Sequence, residues 1–367
     1  MPTADPRRTG QPSHANNFDL MRLVAALSVI FSHSFLIAAG TQSSEPLVMF
    51  TRNQCPLGLV GVFVFFVISG YLVTESWCRS PQAGGFVLRR AARIYPGLVV
   101  NGLICAFALG PLVSGLAFPA YLGDPSLRTF LGEYAILWPG PLALPGVLFA
   151  KTTVGLLVNG SFWTLRFEAY MYLTVLVLGV TRRLNLSAAV ALLAAGIVAI
   201  WWDQYHSLLW LHDIRGWLWM LSHFAAGMVL YLARDRIVFR WYYALLAVAA
   251  LVLISRVGHQ FITLFALPGG YLTIYAATRY WPRLDYARYV GDLSYGIYIY
   301  GWPCAEFIMW LSGGRAVWWQ VFLGTLALVL PLAWLSWHGV EKPVLRWVRA
   351  RRGAAGAVPA LTGIARS

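Results

Sequence analysis

Charge is scarce in this chain. Only 11% of its 367 residues are Asp, Glu, Lys or Arg, against about 25% in ordinary soluble domains. A surface with so little charge could not keep such a chain in water, and a soluble globular fold is excluded. Cysteine is equally thin: Cys55, Cys78, Cys105 and Cys304 lack metal-type spacing and imply no disulfide framework. No metal site is expected. Basic residues outnumber acidic ones, 28 to 14, yet they lie between apolar runs and never form the single patch that nucleic acid requires. There is no fixed-period repeat and no soluble second domain.

What is abundant is apolar and aromatic. The chain is 59% hydrophobic, with 17 Trp, 18 Tyr and 20 Phe, and its mean hydropathy is +0.64. Those numbers suit an all-α, polytopic membrane helix bundle with aromatic belts at both interfaces. Runs of about 20 apolar residues predict ten spans, near 18–39, 58–77, 94–116, 163–181, 186–202, 214–232, 240–255, 261–279, 290–311 and 316–338. Breaks after even-numbered spans carry Arg79, Arg89, Arg90 and Arg93, then Arg182 and Arg183, then Arg234 and Arg236, then Arg279, Arg283 and Arg288, and last Arg346, Arg349, Arg351 and Arg352. The other breaks hold only Arg52, Arg128, Lys151, Arg256 and Arg315. Positive charge stays inside, so this alternation puts both termini in the cytoplasm.

Residues 1–17 then form a polar cytoplasmic tail, and the apolar run after it lacks a small-residue cleavage site, which makes it a retained first helix. Residues 18–345 form the membrane domain, and 346–367 a basic, disordered cytoplasmic tail. Segment 117–162 is interrupted by Pro119, Pro125, Pro139, Pro141 and Pro145 and reads as an external or partly re-entrant cap.

Several polar groups sit where lipid makes them costly. Arg22 and His33 share the first span, and eleven steps of about 100° return to within about 20° of one stripe, about 16 Å apart along the axis. An ionisable group inside a span marks a functional site by default; the bland alternative is a snorkelling Arg22 and a His33 that bridges two helices. In the second span, Ser69 and Gly70 beside Phe65, Phe66 and Tyr71 permit close backbone approach. Arg89, Arg90 and Arg93, just before Pro96, are positive-inside markers that also suit the phosphates of a nucleotide. Arg166, Glu168 and Tyr172 open the fourth span; Glu168 and Tyr172, four apart, share a face, and a buried Glu168 needs a partner such as His33 or Arg166. Asp292 and Ser294 read as a helix cap. His338 and Glu341 reach the cytoplasmic face at a helix end stopped by Pro343.

The stretches FDLMRLVAALSVIFSH, FFVISGYL, RRAARIYP, FWTLRFEAYMY, LSYGIYIYGWP and VEKP, taken in order, resemble the motifs of the membrane acyltransferase type 3 family over 18–345. The resemblance implies a multi-pass protein of the bacterial inner membrane that moves an acyl group, commonly acetyl, from acetyl-CoA or another acyl-CoA to a hydroxyl. The acceptor it implies is a cell-surface saccharide or its lipid-linked precursor, with polysaccharide-assembly enzymes as possible partners alongside membrane lipid. Arg22 and His33 match the family's required pair, Arg90 and Arg93, with Arg89 beside them, its CoA-side basic motif, and Glu168 the acid of its WT-x-x-x-E-x-x-x-Y motif. Two positions depart from the family: Phe63 stands where many members carry an acid before FF, and Gly301 where many carry His.

These residues combine into one scheme. Arg90 and Arg93 hold the CoA phosphates, Arg22 lies just inside, and His33 takes the acceptor proton or carries the acyl group itself, with Ser69, Tyr172 or backbone donors at the oxyanion. A secondary transporter or flippase would use similar intramembrane His, Arg and Glu, but it predicts repeated halves with matching broken helices, and none is visible.

Overall fold

A bilayer offers the backbone no hydrogen-bond partners, so a chain this apolar must satisfy its N–H and C=O groups within helices. The computed structural model describes residues 16–138, 142–147, 157–206, 212–256, 260–279 and 290–356, and these form helices and turns with no strand among them. Lys151, Arg283, Arg288, Pro139 and Pro141, which carried sequence expectations, lie outside the described residues.

Helices occupy all ten apolar stretches: α1 Phe18–Ala39, α2 Leu57–Arg79, α3 Ala83–Ile104, α4 Trp163–Val180, α5 Leu186–His206, α6 His212–Leu232, α7 Trp241–Arg256, α8 Pro268–Thr278, α9 Ser294–Leu311 and α10 Trp318–Ser336. The eighth stretch divides, with a short helix Phe261–Leu264 ahead of α8. By length and composition, five of the described helices can cross a membrane: Phe18–Ala39, Leu57–Arg79, Ala83–Val113, Leu186–Asp203 and Trp318–Arg351. The others are shorter or carry more polar residues, as α4 does with Arg166 and Glu168.

Small residues set the closest approach. A Cβ on Gly70 of α2 would run into the carbonyl oxygen of Phe224 on α6, and one on Gly227 into that of Val67, so the two backbones cross almost in contact. That crossing is the close approach expected around Ser69 and Gly70. The loop after α1 is tied down by Glu45, whose buried carboxylate accepts from Val48 N at 2.8 Å and Leu57 N at 3.1 Å.

Three boundaries differ from expectation. α3 starts at Ala83 instead of 94, because Leu88, Arg89, Arg90, Ala91, Ala92 and Arg93 are strong helix formers that outweigh Gly84 and Gly85 in the first turn. The Arg89, Arg90 and Arg93 cluster therefore stands on a helix and not in a loop. Pro343 does not stop the last helix. A widened π turn at Trp337–Glu341 precedes α11 Lys342–Gly356 and gives the proline ring room at the start of α11. The basic stretch expected as a disordered tail is thus helical as far as Gly356, anchored by Val348, which is only 3% exposed, and by Arg351 stacked 4.0 Å over Trp347.

The proline-interrupted segment caps the end of the bundle remote from the arginines. Two short helices, Phe118–Gly123 and Pro125–Ile136, each carry a proline in the first turn, where its missing N–H costs nothing. They dock on α3 where it relaxes into a π turn at Cys105–Leu109, and Tyr121 Oη donates to the Ala106 carbonyl at 2.7 Å. Beside it, Asn159 Nδ2 donates to Asn101 Oδ1 at 3.0 Å and to Ile299 O at 3.0 Å, and Tyr134 Oη donates to Asn101 Oδ1 at 2.5 Å.

Candidate functional site

The arginine-bearing ends of α1 and α3, the Asp292 turn that leads into α9, and α11 meet around the mouth of a cavity of about 610 Å³. Seven cationic side chains and three carboxylates line it, an imbalance that selects an anionic occupant. Two of the cations share one carboxylate. Asp292 Oδ2 accepts from Arg93 Nη2 at 2.6 Å and lies 3.6 Å from Arg22 Nη1, while its Oδ1 accepts from Ser294 N at 3.2 Å and Ser294 Oγ at 2.5 Å. The helix-cap role expected for Asp292 is there, but it is half of what the residue does. The ion pairing was not legible from spacing, since residues 93 and 292 meet only in three dimensions.

Deeper in, the lining changes character. Along α2 it runs from Val62 to Val73, about 16 Å of helix, and along α4 it includes Thr164, Glu168 and Tyr172. Glu168 Oε1 accepts from Tyr172 Oη, one helical turn away, and from Ser69 Oγ at 3.4 Å. Arg90 lies 5.5 Å above the Tyr172 ring and links the cationic mouth to this polar cluster. Also on the lining, Thr164 Oγ1 and Tyr298 Oη share a hydrogen bond of 2.6 Å.

Seven of the nine side chains singled out in the sequence, Arg22, Ser69, Arg89, Arg90, Arg93, Glu168 and Tyr172, face this one space. His33 and Arg166 do not. Arg166 packs against the Phe167 ring at 4.8 Å. His33 stands edge-on to Trp302 at 4.8 Å, with its Nδ1 buried and without a hydrogen-bond partner among the described residues. Glu168 therefore orients Tyr172 and Ser69 and not the imidazole. Both Arg22 and His33 nevertheless turn toward the α9 segment, Arg22 at Asp292 and His33 at Trp302, as a common stripe requires. Trp302 is one helical turn beyond Tyr298 of the lining, so His33 lies outside the cavity, against the next turn of α9.

An anion-selective mouth, a polar chamber inside a helical bundle and an imidazole beside it are the parts a group-transfer enzyme needs. Residues 16–338 match the acyltransferase domain family. The chain belongs to that family. It is similar to nodulation protein 10 of Rhizobium leguminosarum bv. viciae, 28% identical over 367 residues that cover 93% of this chain and 96% of the relative. It is also similar to an O-acetyl transferase of Shigella phage Sf6, 28% identical over 341 residues, 90% of this chain and 96% of the relative. No solved structure matches the chain. The acyltransferase is a multi-pass membrane enzyme, which disfavours the transporter reading.

Proposed function

We propose that this acyltransferase is a ten-span protein of the bacterial inner membrane, with both termini cytoplasmic, that transfers an acetyl group from acetyl-CoA to a hydroxyl of a cell-surface saccharide or its lipid-linked precursor. The observation that carries this reading is the continuity of one cavity from a cation-lined mouth to Glu168, Tyr172 and Ser69 inside the bundle. Arg90 and Arg93 suit the CoA phosphates, and the apolar α2 wall gives the pantetheine arm about 16 Å of depth. The saccharide acceptor rests on the kinship with an O-acetyl transferase and a nodulation protein.

In this scheme the thioester arrives beneath the Thr164–Tyr298 pair, and Tyr298 swings off Thr164 to let it meet the acceptor at His33. The imidazole, edge-on to Trp302, takes the acceptor's hydroxyl proton. The oxygen attacks the thioester carbonyl, the C–S bond breaks, and the CoA sulfur leaves with the proton that His33 returns. Tyr172 and Ser69, gathered by Glu168, become donors along the approach by turning their hydroxyl hydrogens from its carboxylate to the thioester oxygen.

The test is thiol release from acetyl-CoA by the reconstituted protein, with and without membrane glycolipid from a producing strain. Acceptor-dependent release in the wild type, and none in His33→Ala protein that still inserts, is the expected result. Acceptor-dependent release by His33→Ala at the wild-type rate overturns the role of His33, and no release by the wild type overturns the donor.

A further inference from the structure

We infer that α11 is the second wall of a phosphate clamp: Lys342, Arg346 and Arg349 bind the phosphate groups of a nucleotide, with the two arginines taking a ribose 3′-phosphate at the rim. The inference rests on the acyl-CoA reading above and names the part of the donor that this helix recognises. It concerns residues beyond 338, where the family match ends.

The helix is placed for this by its length. The continuous helical stretch Trp318–Arg351 has 34 residues, about 51 Å at 1.5 Å per residue, whereas the hydrocarbon core is about 30 Å thick. The end carrying α11 must project from the membrane. The π turn at Trp337–Glu341 also rotates α11 relative to α10, and π turns of this kind concentrate at functional positions. Tyr300 Oη donates to Ser336 Oγ at 3.0 Å, and Ser336 Oγ donates to Glu341 Oε1 at 2.9 Å, so the rotated turn is held in place from α9.

Past this turn, Lys342, Arg346 and Arg349 succeed one another at intervals of four and three, one face of a helix, and all three line the same cavity as Arg89 and Arg90 of α3. None of the three side chains makes an ion pair or hydrogen bond among the described residues. Arg346 and Arg349 are exposed, as a rim requires, and Lys342, nearer the bundle, is half-buried. Val348, buried beside them, fixes the helix against α3 so that the cations stand preformed across from the arginines of that helix. A CoA molecule carries about four negative charges, about two on its diphosphate and about two on its 3′-phosphate. Carboxylates at the mouth offset Arg22 and Arg93, and the side chains of Lys342, Arg346 and Arg349, unpaired among the described residues, remain available for that charge. Guanidinium groups bind phosphate oxygens in pairs, which suits Arg346 and Arg349 to the terminal 3′-phosphate and Lys342 with Arg90 to the diphosphate behind it.

Phosphate could also come from an anionic lipid headgroup, and the experiment separates the two sources. Binding of adenosine 3′,5′-bisphosphate and of 5′-AMP to the full chain is measured by calorimetry in nanodiscs of phosphatidylcholine alone and of phosphatidylcholine with phosphatidylglycerol. The expected result is at least about tenfold tighter binding of the bisphosphate by the wild type in both lipids, and loss of that preference in the Arg346→Ala/Arg349→Ala double variant. Arg346→Gln and Arg349→Gln singly should each lose part of it, which guards against a misfolded double variant. A preference that survives the double substitution, or one that exists only without phosphatidylglycerol, overturns the clamp. Acetyl-CoA hydrolysis and transfer are scored separately: a chain that binds the bisphosphate but never releases thiol retains the clamp and loses the donor reading.

Discussion

Asp292 is the carboxylate that Arg22 and Arg93 share, with Asp19 a further partner of Arg22 at 3.4 Å, and replacing Asp292 with Asn is the sharpest test of the site's electrostatics. The side chains of Arg22, Arg93 and Asp292 are about one-fifth exposed or less, at 20%, 21% and 10%. Arg22 and Arg93 each lie within 3.6 Å of the same Oδ2, so their nearest nitrogens are at most about 6 Å apart. At an effective dielectric of about 20, two unit charges at that distance repel by about 2.7 kcal/mol. Breaking a buried pair costs about 3–5 kcal/mol, and partial exposure discounts this to about 2–3 kcal/mol. Both routes predict that Asp292→Asn destabilises the fold by about 2–3 kcal/mol. Removing one cation as well should relieve the repulsion, so Asp292→Asn/Arg93→Gln should be no less stable than Asp292→Asn alone. The assay is tryptophan-fluorescence melting in detergent at a fixed scan rate, read as a double-mutant cycle. A stability change below about 0.5 kcal/mol for Asp292→Asn, or additive effects of the two substitutions, refutes the shared counter-ion.

Other outcomes rest on packing and hydrogen bonding. Gly70→Ala drives a methyl into the Phe224 carbonyl oxygen and should cost about 3 kcal/mol, seen as a lower melting temperature and poor yield of inserted protein. Tyr134→Phe removes a hydroxyl that donates to Asn101 and accepts from Asn159 under the proline-rich cap and should cost about 1–2 kcal/mol, with faster proteolysis of 117–138 as the readout. Glu168→Leu takes away the acceptor that gathers Tyr172 and Ser69; kcat for thiol release should fall by at least about tenfold while KM for acetyl-CoA changes little.

The ten helical stretches were legible because a hydrophobic run of bilayer length has few alternatives to a helix. Their ends were less so. Hydropathy registers the solvent around a segment and not the helix continuing through it, so the runs FVLRRAARIYP and VEKPVLRW looked like breaks although Ala83–Ile104 and the helix through Lys342 pass straight through them. At the site, residues on one helix were the easiest to pair. Glu168 and Tyr172 share a face and a hydrogen bond, as four-residue spacing requires. Contacts between distant segments were invisible, and they decide the architecture. Nothing in spacing says that Asp292 serves Arg93, that Tyr298 bonds to Thr164, or that Glu168 turns away from His33.

The two departures from the family pattern can be understood in the same physical language. Phe63 lies flat on His223, ring centroids 3.7 Å apart and planes 7° from parallel, deep between α2 and α6. His223 Nδ1 meets the Trp219 carbonyl at 2.6 Å, which requires that nitrogen to be the protonated one, and a neutral imidazole against a phenyl ring is a packed apolar pair. An acid at 63 would have to be ionised beside that imidazole or be buried protonated. Gly301 has a comparable reason: a Cβ there would come within 2.9 Å of Ile30 Cγ1, so the bare backbone lets α1 and α9 close on each other one residue before Trp302 meets His33. Neither Phe63 nor Gly301 lines the cavity. Phe63 therefore alters the packing of α2 on α6, and Gly301 that of α9 on the helix that carries Arg22 and His33, and both leave the polar lining of the cavity intact.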